Sequence, residues 1–487
     1  MKPTEIPSHE AFLAWIWDNV TFLDRTKLLD HAPKTVWLFG AGASRHYNLN
    51  ERRVSMPLAR EFFAAFHRLP TSEGLQARVG PLISYLYHFK GVDISKSPDW
   101  LEDIEEFMTC IENQIVELRS KIETDARLTA NDQLKAFSLA EVFNNMLFIF
   151  GNVINEAQNG PLAPGYTELL KFAGPSDTFI TFNWDTLLDR SLAATGCWSP
   201  NEGYGFPFTR ILDGIWRESV DYDASIDHGW SLLKLHGSTN WLVPYRGVAP
   251  ATLELWRTVA DDTKIFLYWQ SSLPFQTFHG RWRGGYESTC YGYYPPNLPV
   301  DCFSAELISA PPGRDFATMT FAPIFSPFEE PPTRGIPSSP LMLTPVRQKR
   351  YEDYPTVIEP LWQQAEKAMC EAGRIVIIGY SFPVTDTRSI RLLQQSLQSR
   401  PAQIEVWIVD PNAENIASRL NASGLDKAKE VRVDLRTFED LMGTFWKGAP
   451  DMVRTAASNH PQFGKWVQML AQMGQMWPPP SAGISPV

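Results

Sequence analysis

Residues 34–44 read KTVWLFGAGAS, and this stretch decides the fold. Its first half is a short run of apolar, β-branched and aromatic residues, which predicts a buried strand. The strand stops at GAGAS, residues 40–44, where two glycines allow a tight turn and a close approach of the backbone to a ligand. A strand followed by a glycine turn and then by a polar residue is the order that a phosphate-binding loop requires.

Four more predicted strands along the chain also end at polar side chains. The strands and the residues that follow them are 178–182 with Asn183 and Asp185, 232–235 with His236, 374–378 with Ser381, and 404–409 with Asp410 and Asn412. Helical patterns separate most of these runs, and this alternation predicts a Rossmann-like, doubly wound parallel α/β sheet. The carboxyl ends of parallel strands line one crevice, so we expect these polar groups to meet around one ligand.

Two insertions and two terminal segments extend the predicted α/β domain, which spans 34–445. We predict an N-terminal helical segment at 1–33, with its helix at 9–29, and a C-terminal helix and tail at 446–487. A helical insertion occupies about 59–163, and an irregular, aromatic and proline-rich insertion occupies about 242–345. Proline removes a donor from a strand ladder, so we expect short hairpins and ordered loops in the second insertion, without a long buried strand.

The composition of the chain excludes several classes of protein. With 44% hydrophobic and 20% charged residues among 487, it has the composition of a folded protein and not of a disordered one. The net charge of -11 argues against a protein whose whole surface binds nucleic acid. We find neither the pattern of a signal peptide nor an apolar run of the ~20 residues that a membrane span needs, which predicts a cytoplasmic protein without membrane contact.

Each of these motifs also has a purely structural interpretation. Glycine turns after strands are common, and GAGAS lacks the full GxGxxG spacing. Asn183 and Asp185 could cap the helix that follows them, because Asn and Asp side chains accept hydrogen bonds from free helix amides. A histidine before a glycine, such as His236, is more often structural than catalytic. Ser381 could complete a turn.

Taken together and in this order, the motifs resemble the sirtuin-like (Sir2-like) NAD-binding domain family. The resemblance is to its prokaryotic branch of NAD-depleting antiphage-defence effectors, and it covers about 35–440. The matching stretches are GAGAS at 40–44, ITFNWDTLLD at 180–189, LHGSTNW at 235–241 and IVIIGYSFPVTD at 375–386.

The resemblance implies an NAD hydrolase that cleaves the bond between nicotinamide and ribose and releases nicotinamide and ADP-ribose. Asn183 and Asp185 would contact the nicotinamide and its ribose, and His236 would act on the ribose or on water. An imidazole suits this role because its ordinary pKa lies near 6.5. NAD would be held by Gly40, Ala41, Gly42, Ser44, Ser381, Asp410 and Asn412.

The sequence departs from the protein-deacylating sirtuins in one respect. Those enzymes carry a four-cysteine zinc ribbon, whereas the five cysteines of this chain are scattered and never spaced as CxxC. We therefore expect no metal and disfavour lysine deacylation, which makes water the simplest acceptor. Two alternatives stay open: a non-catalytic regulatory module that binds NAD or ADP-ribose, and an ADP-ribosyltransferase.

A freely active NAD hydrolase would deplete its host, so the resemblance also implies an off state that a trigger releases, as in abortive infection. We expect a homo-oligomer and a separate activating or sensor protein, such as an ATPase or a nucleic-acid-sensing partner. The helical insertion is expected to pack against the sheet, with a partner-binding face as the alternative. Its acidic stretch LEDIEE at 101–106 suits a solvated helix start, and Glu105 as a catalytic acid is the less favoured alternative.

Overall fold

The computed structural model describes most of the chain between residues 34 and 445. The described residues are 34–50, 52–68, 80, 82–93, 96, 102–124, 129–158, 160–213, 217–218, 229–244, 263, 265–268, 316–319, 335–383, 385–399, 404–422, 424–428 and 430–445. The helices predicted at 9–29 and near 464–473 lie outside these residues, as do the terminal segments 1–33 and 446–487.

A six-stranded parallel sheet forms the centre of the protein and confirms the predicted fold class. Its strands are β1 (Thr35–Phe39), β2 (Thr178–Thr181), β5 (Ser231–Lys234), β10 (Arg374–Ile378), β11 (Glu405–Val409) and β12 (Glu430–Asp434). Their order across the sheet is β12-β11-β10-β1-β2-β5. The chain moves outward from β1 in one direction and later from β10 in the other, so the neighbours β1 and β10 mark the topological switch point where ligands of this fold class bind.

The register of the sheet brings the strand ends to one level. Phe39, the last residue of β1, pairs with Ile378 in β10 and with Thr181 in β2. Thr181 pairs in turn with Lys234, the last residue of β5. The polar residues that follow these strands therefore start from the same edge of the sheet, which we call the carboxyl edge.

Helices cover the sheet and build the insertion. They are α1 (Ala41–Ser44), α2 (Phe62–Arg68), α3 (Ile104–Glu123), α4 (Ala130–Gln158), α5 (Pro164–Leu170), α6 (Leu187–Ala194), α7 (Ile358–Glu371), α8 (Thr387–Gln398), α9 (Ala413–Asn421) and α10 (Phe438–Phe445). The apolar periodicity of the sequence predicts helices at 101–122, 133–157, 186–192, 356–372, 387–398 and 413–420. They agree with α3, α4, α6, α7, α8 and α9 within three residues. No helix among the described residues is both long enough and apolar enough to cross a membrane.

The helical insertion packs through aromatic side chains. The Phe62 ring on α2 stacks on the Phe150 ring of α4, with 5.2 Å between centroids, and the Phe63 ring meets Phe107 of α3 edge-on at 5.4 Å. Phe150 also contacts Trp184, which follows β2, at 4.9 Å between centroids. The insertion is thus packed against the carboxyl edge of the sheet, as its apolar stripes predicted.

A second six-stranded sheet was not predicted from the sequence. Its order is β4-β3-β7-β6-β9-β8, and its strands are β3 (Arg210–Asp213), β4 (Arg217–Glu218), β6 (Gly237–Pro244), β7 (Phe266–Tyr268), β8 (Phe316–Met319) and β9 (Gly335–Met342).

Strand β9 corrects the expectation of short hairpins and loops alone in the proline-rich insertion. It is eight residues long, contains Pro337 and Pro340, and pairs with both β6 and β8. The register between β6 and β9 shifts between Gly237 and Leu242. Pro340 borders this irregularity, where a missing N–H donor interrupts no regular ladder.

Candidate functional site

The carboxyl edge brings together side chains from separate parts of the sequence. Asn183 stands two residues after β2, and His236 stands two residues after the neighbouring strand β5. Both are buried, with 7% and 4% of their surface exposed. Buried polar side chains at strand ends need partners in the protein or in a ligand, and the following contacts identify those partners.

Asn183 joins the end of β2 to the glycine loop after β1. Its Nδ2 donates to the Gly40 carbonyl at 2.9 Å and to Ser44 Oγ at 3.2 Å. The Ser44 hydroxyl is 2.9 Å from the hydroxyl of Tyr166 on α5. The sequence prediction that Asn183 and Ser44 lie close together is therefore met by a direct hydrogen bond.

The glycines of the loop allow the ends of β1 and β10 to touch. The Gly40 amide donates to the Ile378 carbonyl at 3.0 Å, and the Gly42 amide donates to the Gly379 carbonyl at 2.9 Å. A Cβ at Gly40 would lie 2.6 Å from the Gly379 carbonyl oxygen, and one at Gly42 would lie 2.8 Å from the Gly379 Cα. This close approach explains both glycines structurally, and phosphate binding by Gly40, Ala41, Gly42 and Ser44 stays a prediction.

Asp185 makes the contact that the capping interpretation describes. Its Oδ1 accepts a hydrogen bond from the Leu187 amide at 3.0 Å, at the start of α6. Burial raises the pKa of the Asp185 carboxyl, although the nearby Lys234 ammonium acts in the opposite direction. A carboxylate buried in this way is a costly charge, which a positively charged ligand group would offset.

A fully buried ion pair lies behind Asp185. The Lys234 ammonium is 3.1 Å from Oδ2 and 3.2 Å from Oδ1 of Asp189, and both side chains are 0% exposed. Lys234 also donates to the Asp185 carbonyl, and the Tyr204 hydroxyl donates to Asp189 Oδ1. We call these two residues the Lys234–Asp189 pair.

A second buried pair involves a residue that the sequence pattern did not indicate. The His236 Nε2 is 3.1 Å from Asp386 Oδ2, and the two side chains are 5% and 1% exposed. We call these two residues the His236–Asp386 pair. Burial lowers the pKa of the His236 imidazole, and the Asp386 carboxylate offsets part of this effect. Burial also acts to raise the pKa of Asp386, but His236, Lys349 and the Tyr380 hydroxyl together hold it below its usual range.

Aromatic rings form the walls around His236. The rings of Phe182 and Trp184, the two neighbours of Asn183, lie 5.0 and 6.0 Å from the imidazole centroid. Trp184 Nε1 donates to the His236 carbonyl at 2.9 Å, and the Phe182 ring stacks on Tyr380 at 4.1 Å. The two residues on either side of Asn183 thus both contact His236.

The other predicted NAD-binding residues lie near α9, at the ends of β10 and β11. The Ser381 carbonyl accepts a hydrogen bond from Arg419 of α9, and Asp410 Oδ1 accepts one from the Asn412 amide at 2.8 Å. Ser381 and Asn412 are exposed, whereas Asp410 is half-buried. These contacts stabilise turns, and a role for the three residues in holding adenosine or phosphate stays a prediction.

Glu105 corrects the expectation of a solvated helix start. Its carboxylate is 3.1 Å from the Lys349 ammonium and accepts a hydrogen bond from Thr385 Oγ1 at 3.3 Å. The Lys349 side chain is only 3% exposed. Glu105 therefore ties the helical insertion to the two segments beside Asp386, and the contacts support neither a solvated role nor a catalytic one.

Two cavities flank these residues. One, of about 550 Å³, is bordered by Ala43, Ser44, Tyr166 and Phe438. The other, of about 700 Å³, is bordered by Lys349, Tyr351 and Thr385 and by residues of α7 and α8, next to Asp386 in the chain. Within the described ranges, no group of three or more His, Cys, Asp or Glu side chains is arranged to hold a metal ion.

Asp386 was missed although it lies inside the quoted stretch 375–386. An aspartate directly before a helix is usually explained as an N-cap, and Asp386 does occupy the N-cap position of α8. Its side chain makes no capping hydrogen bond among the described residues, because the carboxylate faces His236. The sequence alone does not distinguish this aspartate from an ordinary helix cap.

Comparisons with known proteins give matches among solved structures. No protein-family model matches the sequence, and no curated protein does. Two solved structures that do match are point mutants of a Sir2 homologue in complex with ADP-ribose. The first is 11% identical, with 89% of this chain and 98% of that chain covered and a TM-score of 0.32. The second is 12% identical, with 90% and 98% covered and the same TM-score of 0.32. The Rossmann-like α/β fold of this chain is assigned from its own strand order.

Proposed function

We propose that this protein binds NAD at the carboxyl edge of the parallel sheet and hydrolyses it to nicotinamide and ADP-ribose. One observation carries the proposal. Asn183 is bonded to Gly40 and Ser44, while its two chain neighbours contact the His236 ring. Three strand ends that are far apart in the sequence thus supply an amide, a hydroxyl and an imidazole at the same edge of the sheet, beside its topological switch.

These side chains can supply most of the groups that the reaction requires. As the bond to nicotinamide breaks, positive charge develops on C1′ of the ribose, and nicotinamide leaves as a neutral molecule without needing a strong acid. The buried Asp185 carboxylate can offset that charge. A neutral His236 imidazole can take a proton from the attacking water or from a ribose hydroxyl, and Asn183 can hold the ribose by hydrogen bonding. Water adds to C1′ and one proton is released.

We also propose that the NAD hydrolase activity is regulated. Ser44, Asn183 and His236 are 2%, 7% and 4% exposed, so the chain itself covers the groups that would meet NAD. An NAD hydrolase kept in this closed arrangement would need a trigger, and we propose self-association or a separate sensor protein in antiphage defence. Contacts between the helical insertion and the carboxyl edge, through Phe150 and Glu105, offer a route for such a trigger.

The test is release of nicotinamide from NAD by the purified protein. We expect His236→Ala to lower the rate by about 100-fold or more, because a positioned acid–base group contributes about 10²–10⁴. Asn183→Ala should lower it by about 100-fold, because it removes a positioned hydrogen-bonding group. The matched controls are His88→Ala and Asn421→Ala, which change exposed residues of the same types and should retain full activity.

The outcomes separate the competing functions. NAD binding without release, with any candidate trigger present, would favour the regulatory module. Transfer of label from NAD to a protein or nucleic acid would favour an ADP-ribosyltransferase. Release that survives both site substitutions would place the chemistry elsewhere and contradict the proposed site.

A further inference from the structure

We propose that Asp386 is the positioning residue of the site: its carboxylate holds the His236 ring proton on Nε2 and leaves Nδ1 as the proton acceptor. The role of Nδ1 in catalysis rests on the proposed NAD cleavage. The effect of Asp386 on the imidazole does not, and it can be measured without any substrate.

The first support is the direction of the Asp386 side chain. An aspartate at an N-cap normally accepts hydrogen bonds from the first amides of its helix. Asp386 forgoes this contact, within the described part of the chain, and places Oδ2 at 3.1 Å from His236 Nε2. Both side chains are almost fully buried. Turning the carboxylate away from the helix amides into a buried position costs free energy. Its contact with the buried imidazole offsets that cost.

The second support is the way the carboxylate is held. Tyr351 donates to Asp386 Oδ1 at 2.9 Å, and Tyr380 donates to Oδ2 at 2.6 Å. Tyr380 is itself fixed by a 2.9 Å contact with Ser389 Oγ and by stacking on Phe182. Hydroxyl donors on both oxygens favour the ionised form of the carboxyl and restrict its rotation.

The backbone of the turn before Asp386 is also strained. Gly379 has φ +61° and Phe382 has φ +49°, in the left-handed region that a phenylalanine rarely adopts. Such strain persists only where surrounding contacts impose it, and it concentrates at functional sites. The buried Phe382 ring, which lies 4.7 Å from the Tyr380 ring, is one of those contacts.

The surroundings of the His236–Asp386 pair favour a neutral imidazole and an ionised carboxylate. Burial lowers the pKa of His236 most strongly, Asp386 and Glu105 oppose this, and Lys349 adds to it. At neutral pH the imidazole is therefore neutral and its carboxylate partner ionised. Among the described residues His236 Nε2 has no well-aligned hydrogen-bond partner. The nearest acceptor facing it is Asp386 Oδ2, which makes Nε2 the ring nitrogen that keeps the proton.

The decisive experiment is nitrogen NMR of the ¹⁵N-histidine-labelled full chain, with His236→Gln used to assign the His236 signal among nine histidines. The wild-type protein should show the Nε2–H form of the neutral ring. Asp386→Asn should lower the pKa of His236 by about one unit or more, because an opposite charge at this distance is removed. Glu105→Gln should shift it in the same direction by less. A wild-type ring protonated on Nδ1, or a pKa unchanged in Asp386→Asn, would overturn the proposal.

A matched control separates positioning from structural support. Asp177 is another buried carboxylate at the opposite edge of the sheet, where it accepts bonds from the Thr35 amide, Trp37 Nε1 and the Gly174 amide. Asp177→Asn should weaken the fold and leave the His236 signal unchanged. The tautomer of the wild-type ring needs no variant, so the proposal stays open to contradiction even where Asp386→Asn does not fold.

Kinetics connect the inference to the proposed function. Asp386→Asn should lower kcat for nicotinamide release about 10-fold or more with little change in KM, and should move the acidic limb of the pH profile to lower pH. A chain that releases no nicotinamide but shows the predicted NMR behaviour would contradict the proposed function alone. Nicotinamide release whose pH profile is unchanged in Asp386→Asn would contradict this inference alone.

Discussion

Two buried pairs lie two residues apart at the end of β5, and they are built for different purposes. In the Lys234–Asp189 pair, the ammonium contacts both carboxylate oxygens and a backbone carbonyl. In the His236–Asp386 pair, the carboxylate has two tyrosine donors while the imidazole Nε2 faces it without an aligned hydrogen bond. In the first pair the two charges compensate each other. In the second pair the imidazole can still gain or lose a proton.

One edge of the sheet thus combines a rigid ion pair with a reactive imidazole. The Lys234 ammonium and the Asp189 carboxylate are both fully buried, so each needs the other as a partner and the pair acts as a scaffold. An imidazole with a lowered pKa is neutral near pH 7, so it can exchange a proton without leaving a buried charge behind. The four predictions that follow test this distinction, from the largest expected change in the free energy of unfolding to the smallest.

The largest effect is expected for Lys234→Met. Removing one member of a complete buried pair leaves the Asp189 carboxylate uncompensated, which costs about 3–5 kcal/mol in the free energy of unfolding. Denaturant unfolding of the purified protein measures this loss. The double variant with Asp189→Asn should recover most of it, because the new side-chain amide carries no charge and its oxygen still accepts a bond from Tyr204. Equal losses in the single and double variants would show that the pair is no scaffold.

Gly40→Ala should have the next largest effect. The new Cβ would lie 2.5 Å from the Tyr380 ring and 2.6 Å from the Gly379 carbonyl oxygen, so the end of β10 must move. Overpacking of this kind costs about 1–3 kcal/mol, and here it displaces the tyrosine that holds Asp386. Thermal unfolding measures the loss, and the NMR signal of His236 should shift with it. Gly80→Ala, which adds a Cβ with no atom of the described residues within 4 Å, is the control and should leave both unchanged.

His236→Gln should cost only about 1 kcal/mol of unfolding free energy, because the ring it removes is neutral at pH 7. The same substitution should abolish nicotinamide release. A loss of stability as large as that of Lys234→Met would show that His236 is charged in the folded protein, and the distinction between the pairs would fail.

The smallest effect concerns acid stability. The unfolded chain binds a proton at His236 more tightly than the folded one, because burial lowers the folded pKa from 6.5. Stability contributed by the neutral ring is therefore complete above about pH 6.5 and is lost as the pH falls toward the folded pKa. Unfolding midpoints measured from pH 7 to pH 5 should fall more steeply for the wild type than for His236→Gln. Identical slopes would contradict the lowered pKa.

The parallel sheet could be predicted because most of its strands are short, fully apolar runs that end at glycine or polar residues. β1 and β10 are the clearest of these. β12 was missed, since its sequence EVRVD alternates and its side chains are largely exposed at the edge of the sheet. The second sheet was missed because β9 contains two prolines, and only pairing with β6 and β8 makes it a strand.

The candidate site, like the sheet, could be predicted only in part. Strand ends identified Asn183 and His236, since parallel strands deliver the residues after them to one edge. The partners of those residues could not be read in the same way. Lys234 lies within the apolar run LLKL, where it resembles an interruption of a strand, and Asp386 has the sequence position of a helix cap. Which carboxylate faces Lys234 and which faces His236 depends on tertiary packing over 45 to 150 residues of sequence.

We propose that NAD binds at the carboxyl edge between the glycine loop and the His236–Asp386 pair. The most direct test is an experimental structure of the His236→Ala variant with NAD, since the substitution should preserve the substrate. We predict that the pyrophosphate lies against residues 40–44 and the nicotinamide ribose against Asn183. NAD bound only in the cavity outside Asp386, or elsewhere on the surface, would contradict the account.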